Sequence, residues 1–171
     1  LADGVAPVPR LLKRGVNVVL GADGAASNNN QDMFEVMKAA VLLQKVHTLD
    51  SQSLTAEKAL EMATIDAARA LGMEDEIGSL EPGKKADIIM VDLLRPEMTP
   101  SISNVSNLVY SAKGSSVDTV IVDGRTVVEN KRLVTLDEIS IIKTANSTVR
   151  RMIEETGDRS LLNPGSWTRI Q

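Results

Sequence analysis

The spacing of apolar residues changes along this chain of 171 residues, and each spacing predicts a different element. Residues 7–14, Pro-Val-Pro-Arg-Leu-Leu-Lys-Arg, suit a short helix opened by proline and closed by Gly15. Val16 to Leu20 is an unbroken, β-branched run stopped by Gly21, the pattern of a strand buried on both faces of a parallel sheet. After a loop from Gly21 to Asn30, Met33, Val36, Met37, Ala40 and Val41 recur at helical spacing, predicting a helix through residue 46. Asp32 and Glu35 form a capping box at its start, each satisfying an orphan backbone donor. A second helix is predicted over Thr55–Leu71, with Ala59, Leu60, Ala63, Ala67 and Leu71 on one face, Thr55 as cap and Gly72 as exit.

The texture changes at Ile77, where Gly78, Pro82 and Gly83 punctuate short apolar runs, and Ala86–Val91 reads as a strand. Asp123-Gly124 sits between two β-branched runs in Asp118–Val128, which predicts a hairpin whose turn residues need positive φ. Thr135 and Glu138 form a second capping box, opening a helix that runs toward Thr156 before a tail containing Asn163-Pro164-Gly165. Lys84 and Lys85 follow a Pro-Gly turn and are read as solvated rather than catalytic.

Composition narrows the function classes. With only Phe34, Tyr110 and Trp167 aromatic, the core must be aliphatic and base stacking is poorly supported. A net charge of -4 without a clustered basic face argues against nucleic-acid binding and leaves a small solute or protein as partner. No run approaches the roughly 18 apolar residues of a membrane helix, and no signal-peptide layout opens the chain, so the cytoplasm is the default location. The absence of cysteine means that any metal needs His or carboxylate ligands. A chain that begins at Leu1, in what reads as the middle of a loop, is expected to continue upstream.

The step Leu20-Gly21-Ala22-Asp23-Gly24 is the most informative, because an acidic residue just beyond a parallel strand lies on the functional face of α/β folds. Asp23 is the candidate catalytic residue; the competing reading is an aspartate that only bonds its own loop backbone. Asn28, Asn29 and Asn30 are read chiefly as loop and cap residues.

Residues 4–45, GVAPVPRLLKRGVNVVLGADGAASNNNQDMFEVMKAAVLLQK, closely resemble the methylthioadenosine/S-adenosylhomocysteine deaminases of the amidohydrolase superfamily. The resemblance continues through LTAEKALEMATIDAARALG at 54–72, IGSLEPGKKADIIMVDL at 77–93, NLVYSAKGSSVDTVIVDGRTVVE at 107–129 and RLVTLDE at 132–138. It implies an α/β fold: the terminal part of a (β/α)8 metal-dependent hydrolase barrel over 1–76, the C-terminal part of a small composite β-sandwich over 77–135, and a C-terminal helix and tail over 136–171. It implies further that Asp23 ends the eighth barrel strand, ligates the catalytic metal, zinc, and exchanges a proton with the attacking water during hydrolytic deamination of a purine nucleoside. A homo-oligomer is the quaternary expectation.

The same resemblance shows what this chain lacks. The family needs a His-x-His pair, two further histidines and an acid-base glutamate, whereas the one histidine, His47, lies at a helix end in a variable segment. Relatives often carry histidines near Pro96–Ile102, and this sequence has none there. The chain alone is therefore expected to be an inactive portion of a larger hydrolase. Two alternatives remain: a related enzyme acting on a triazine, guanine or cytosine ring, and a noncatalytic assembly module.

Overall fold

The computed structural model describes residues 4–157, so Trp167 and the Asn163-Pro164-Gly165 turn lie outside the described residues. The chain divides into two compact units, Leu1–Arg132 and Leu133–Gln171. Among the described residues no helix is long and apolar enough to cross a membrane.

The first unit opens with α1 (Val8–Lys13), which buries Val8 and ends at Gly15 with φ +74°. Residues 16–20 differ from expectation. They are extended but belong to no strand ladder, and Val16 and Val19 are 45% and 39% exposed, while Val18 and Leu20 pack on the core. The physical reason is pairing: a strand needs at least one hydrogen-bonded neighbour, and none flanks this segment among the described residues. Its polar groups are held sideways instead. The Leu20 N–H donates to the Met62 carbonyl at 3.1 Å, and Asn17 Nδ2 donates to the Asp66 carbonyl at 2.9 Å.

The expected loop after Gly21 contains a one-turn helix, α2 (Ala25–Asn28), closed by Asn29 at φ +60°. The following helix, α3 (Met33–Thr48), runs past residue 46 to a left-handed Leu49. Its buried stripe is Phe34, Met37, Val41 and Gln44, at helical spacing, with Met33, Val36 and Ala40 on its flank. The capping box is half formed. Asp32 Oδ1 accepts from the Phe34 N–H at 2.9 Å, but the Asp32 N–H donates at 2.7 Å to Asn30 Oδ1, and Glu35 accepts from Asn30 Nδ2. Asn30 lies two residues before the cap, where its short side chain reaches the backbone more readily than Glu35 can.

The second predicted helix is two: α4 (Ala56–Ala63) and α5 (Ile65–Leu71). Thr64 breaks the run at φ -129°, ψ -96°, where its Oγ1 donates to the Leu60 carbonyl at 2.7 Å and its N–H to the Glu61 carbonyl. A β-branched hydroxyl bonded back four residues competes with the helical ladder. The ends match expectation, with Thr55 accepting from the Lys58 N–H and Gly72 left-handed at φ +67°. The face shifts, since Ala59, Met62 and Ala68 are buried and Leu71 is 70% exposed.

Between the sheet strands the spacing hid one helix, α6 (Asn104–Tyr110), which is capped by Ser103 and buries Val109. It spans only two turns, too short for a visible period. With Met98 from a preceding 3-10 turn, Val109 closes the aliphatic core against Val41, Leu54 and Met62.

The sheet pairs β1 (Ile88–Val91), β2 (Val117–Val122) and β3 (Arg125–Glu129) antiparallel, with the two-residue β4 (Arg132–Leu133) next in order where the first unit ends. The hairpin prediction holds: Asp123 and Gly124 have φ +49° and +76°. Ala86 and Asp87 precede β1 rather than joining it, because they hold that turn. The Ala86 carbonyl accepts from the Gly124 N–H at 3.1 Å and Asp87 Oδ1 from the Asp123 N–H at 2.7 Å. Lys84 is not solvated: its side chain is 12% exposed, with Nζ donating to Ser79 Oγ at 2.6 Å and pairing with Glu81. Lys85, at 44% exposure, pairs with Glu76 at 2.8 Å.

In the second unit, α7 (Glu138–Thr156) is capped by Asp137, whose Oδ1 accepts from the Ser140 N–H at 3.1 Å. The expected Thr135 cap lies two residues too early, and a carboxylate at the boundary is the better acceptor.

Candidate functional site

A cleft of about 450 Å³ opens where the extended segment, α2 and α3 meet. Its wall carries Asp23, Ser27, Asn28, Asn30 and Glu35, with Val36 and two alanines of α3 as an apolar floor. Every polar group comes from the segment that the sequence singles out, because a short turn of small residues leaves the space open.

Asp23 lies exposed on the wall in the left-handed region, at φ +59°. That conformation is uncommon for a residue with a Cβ, and aspartate tolerates it better than most because its side chain bonds the local backbone. Here Oδ1 accepts from the Gly24 N–H at 2.7 Å. The local-bonding alternative therefore describes one of the two carboxylate oxygens. Among the described residues Oδ2 has no hydrogen-bond partner and is available to a ligand.

The asparagines act as the sequence suggests. Asn28 Nδ2 donates to the Asn30 carbonyl at 2.9 Å, Asn29 closes α2, and Asn30 joins the Asp32 backbone to Glu35. The contacts of two side chains escape sequence reasoning. Gln31 Nε2 donates to the Asp23 carbonyl at 3.0 Å and to the Asn30 carbonyl at 3.2 Å. Asp32 Oδ2 accepts from the Gly114 N–H at 2.7 Å across 82 positions of sequence, tying the loop to the turn before β2. No local signal marks these contacts, because polar loop residues abound in the segment.

Near the start of the extended segment, Asp66 is 3% exposed and accepts from Lys58 Nζ and Arg69 Nη1, each at 2.7 Å. The hydrogen bond that Lys58 donates to Asp66, with a second donated to Glu61, holds the Lys58 ammonium above its ordinary pKa. The Asp66 backbone carbonyl, rather than its carboxylate, receives Asn17 Nδ2 at 2.9 Å and ties down the extended segment that leads to Asp23.

A divalent ion can be tested against these donors. Asp23 offers a hard oxygen of the right kind for one ligand position. Among the described residues no three His, Cys, Asp or Glu side chains converge, and His47 is exposed in the last turn of α3, outside the cleft. The residues present fit one ligand of a zinc set, not a complete one.

Known proteins share both sequence and fold. Residues 1–127 match the amidohydrolase family. A 5-methylthioadenosine/S-adenosylhomocysteine deaminase of Syntrophomonas wolfei is 48% identical over 153 residues, covering 90% of this chain and 36% of that protein. A 5'-deoxyadenosine deaminase of Methanosarcina acetivorans is 49% identical, over 90% of this chain and 35% of that protein. The crystal structure of an adenosine deaminase from Xanthomonas campestris with bound zinc superposes with a TM-score of 0.85 at 37% identity, over 88% of this chain and 34% of the other. The chain thus spans about a third of the length of the relatives it matches. A family match across both the Asp23 loop and the hairpin, at nearly half identity to named deaminases, makes this chain a member of the amidohydrolase family.

Proposed function

We propose that this chain forms the Asp23-bearing part of a zinc-dependent hydrolase that deaminates a purine nucleoside of the methylthioadenosine, S-adenosylhomocysteine or adenosine type. The observation that carries the reading is the carboxylate of Asp23 on the cleft wall with Oδ2 unbonded among the described residues, in a family whose relatives named above are deaminases. In this reading residues 1–76 are the end of a (β/α)8 barrel, 77–135 a segment of a composite β-sandwich, and 136–171 a C-terminal helix and tail. The exposed Val16 and Val19 support it, since a barrel strand is covered on both faces only when its neighbours are present.

Zinc, when bound, supplies the Lewis acidity that makes water a nucleophile near neutral pH. Asp23 would contribute one oxygen ligand through Oδ2, while the Gly24 N–H steadies Oδ1. Its carboxylate would take the proton released by water as the new carbon–oxygen bond forms, and return it to the departing amine, so that water plus amine becomes carbonyl plus ammonia. In this reading the histidine ligands and the acid-base glutamate would come from a longer chain, as in relatives of which this chain spans 36%. The proposed setting is a cytoplasmic homo-oligomer acting on a small molecule, with no nucleic-acid partner.

The test is the full-length gene product, loaded with zinc and assayed for ammonia release. Methylthioadenosine, S-adenosylhomocysteine, 5'-deoxyadenosine and adenosine should be turned over, against guanine, cytosine and a chlorotriazine as the competing substrates. Turnover confined to the bases or the triazine would replace the nucleoside reading. Inactivity on every compound, with zinc bound, would favour an assembly module.

A further inference from the structure

We propose that Gln31 is a positioning residue for Asp23, acting through the backbone rather than on substrate. The inference rests on the reading of Asp23 as ligand and base. It starts from the conformation of Asp23, whose φ of +59° is one that a residue with a Cβ does not hold without support. Relaxing that φ toward negative values would swing the carboxylate away from the cleft wall. Two attachments oppose this. The Gly24 N–H holds Oδ1 at 2.7 Å, and Gln31 Nε2 holds the Asp23 carbonyl at 3.0 Å.

The Gln31 amide has two N–H groups, and the second meets the Asn30 carbonyl at 3.2 Å. One side chain thereby bridges the two ends of the turn, Asp23 and Asn30, across α2. The Asn30 end is itself fixed, through Asp32 and Glu35 at the start of α3 and from there to Gly114. Gln31 therefore transmits the rigidity of a 16-residue helix to a single strained residue. Gln31 is not among the residues of the cleft wall, so its contribution is orientation. Nothing in the core depends on it, because its side chain is exposed.

The experiment uses the full-length gene product with Gln31→Met, which keeps length and removes both donors, and Gln31→Glu, which replaces them with a carboxylate. Hydrogen exchange over residues 22–30 should quicken in the metal-free protein of both variants, a readout that needs no turnover. In the zinc-loaded enzyme kcat should fall about tenfold with KM within twofold, as expected when about one net hydrogen bond is lost from the positioning of Asp23 and none from substrate binding. Unchanged exchange together with kcat within twofold of wild type would overturn the proposal, as would a raised KM at unchanged kcat, which marks a substrate contact. Asp23→Asn is the parallel control. If it keeps zinc and activity, the reading of Asp23 is lost, whereas the exchange result still judges whether Gln31 holds the turn.

Discussion

Asp66 shows what a single buried charge does in this chain. It is 3% exposed and balanced by Lys58 and Arg69, both partly in solvent, so each pair is weaker than a fully buried one. Asp66→Ala leaves the Asn17 bond to the backbone intact but strips two charge-assisted bonds, at a cost of about 2–3 kcal/mol in denaturant unfolding. The linked pH effect has a definite sign. Lys58 has its pKa raised from 10.5, so its contribution is complete below that pH and is lost as pH rises through the folded value. Lys58→Met should therefore flatten the alkaline limb of the stability profile in denaturant unfolding. Glu97 behaves oppositely: its own backbone N–H, then the Ser116 hydroxyl and Arg95, hold it below 4.5. Its contribution is present above pH 4.5 and is lost as pH falls through the folded value, so Glu97→Gln should soften the acid limb. At this scale the sequence offers Asp23 as a candidate through its place after residues 16–20 and the family resemblance, and gives the roles of the asparagines because turn chemistry is local. It does not reveal Asp66 or Gln31, whose partners are set by packing across the fold.

Element ends are where the sequence speaks best and where it errs most instructively. The Asp123-Gly124 turn and the Gly72 exit follow from positive φ alone, and the structure bears both out. Gly124→Val should destabilise by about 1–2 kcal/mol, since φ of +76° costs a β-branched residue roughly that much. Caps were harder to place. Asp32 does cap α3, but its second oxygen serves the Gly114 N–H, and Asn30 displaces Glu35 from the expected box. Asp32→Ala thus removes a cap and a tertiary tie together, and should exceed the roughly 1 kcal/mol of an ordinary N-cap loss in thermal unfolding. The split of 55–71 into α4 and α5 was invisible because both halves share one apolar period, and only the back-bonded Thr64 interrupts it. Helix α6 escaped for the opposite reason, being too short for a period to show.

For the whole molecule, the family and a mixture of helix and sheet were legible, and the burial of the individual elements was not. Val16–Leu20 reads as a doubly buried strand, yet Val16 and Val19 are exposed, as are Leu42, Leu43 and Val46 along α3. In the proposed reading these apolar surfaces account for the mismatch, since the relatives named above are about three times as long and have further elements to cover them. The isolated 171-residue chain should accordingly bind an apolar fluorescent dye and self-associate with concentration, whereas the full-length gene product should do neither. The core that is present is complete enough to test, and Met98→Ala, at 0% exposure, should cost about 2–5 kcal/mol. The most direct measurement of the central claim is zinc content together with kcat/KM on methylthioadenosine for the full-length gene product and its Asp23→Asn variant. The account predicts a zinc-loaded wild type and a folded variant that holds zinc poorly and is slower by about a thousandfold. A variant that keeps its zinc and turns over at the wild-type rate would contradict it.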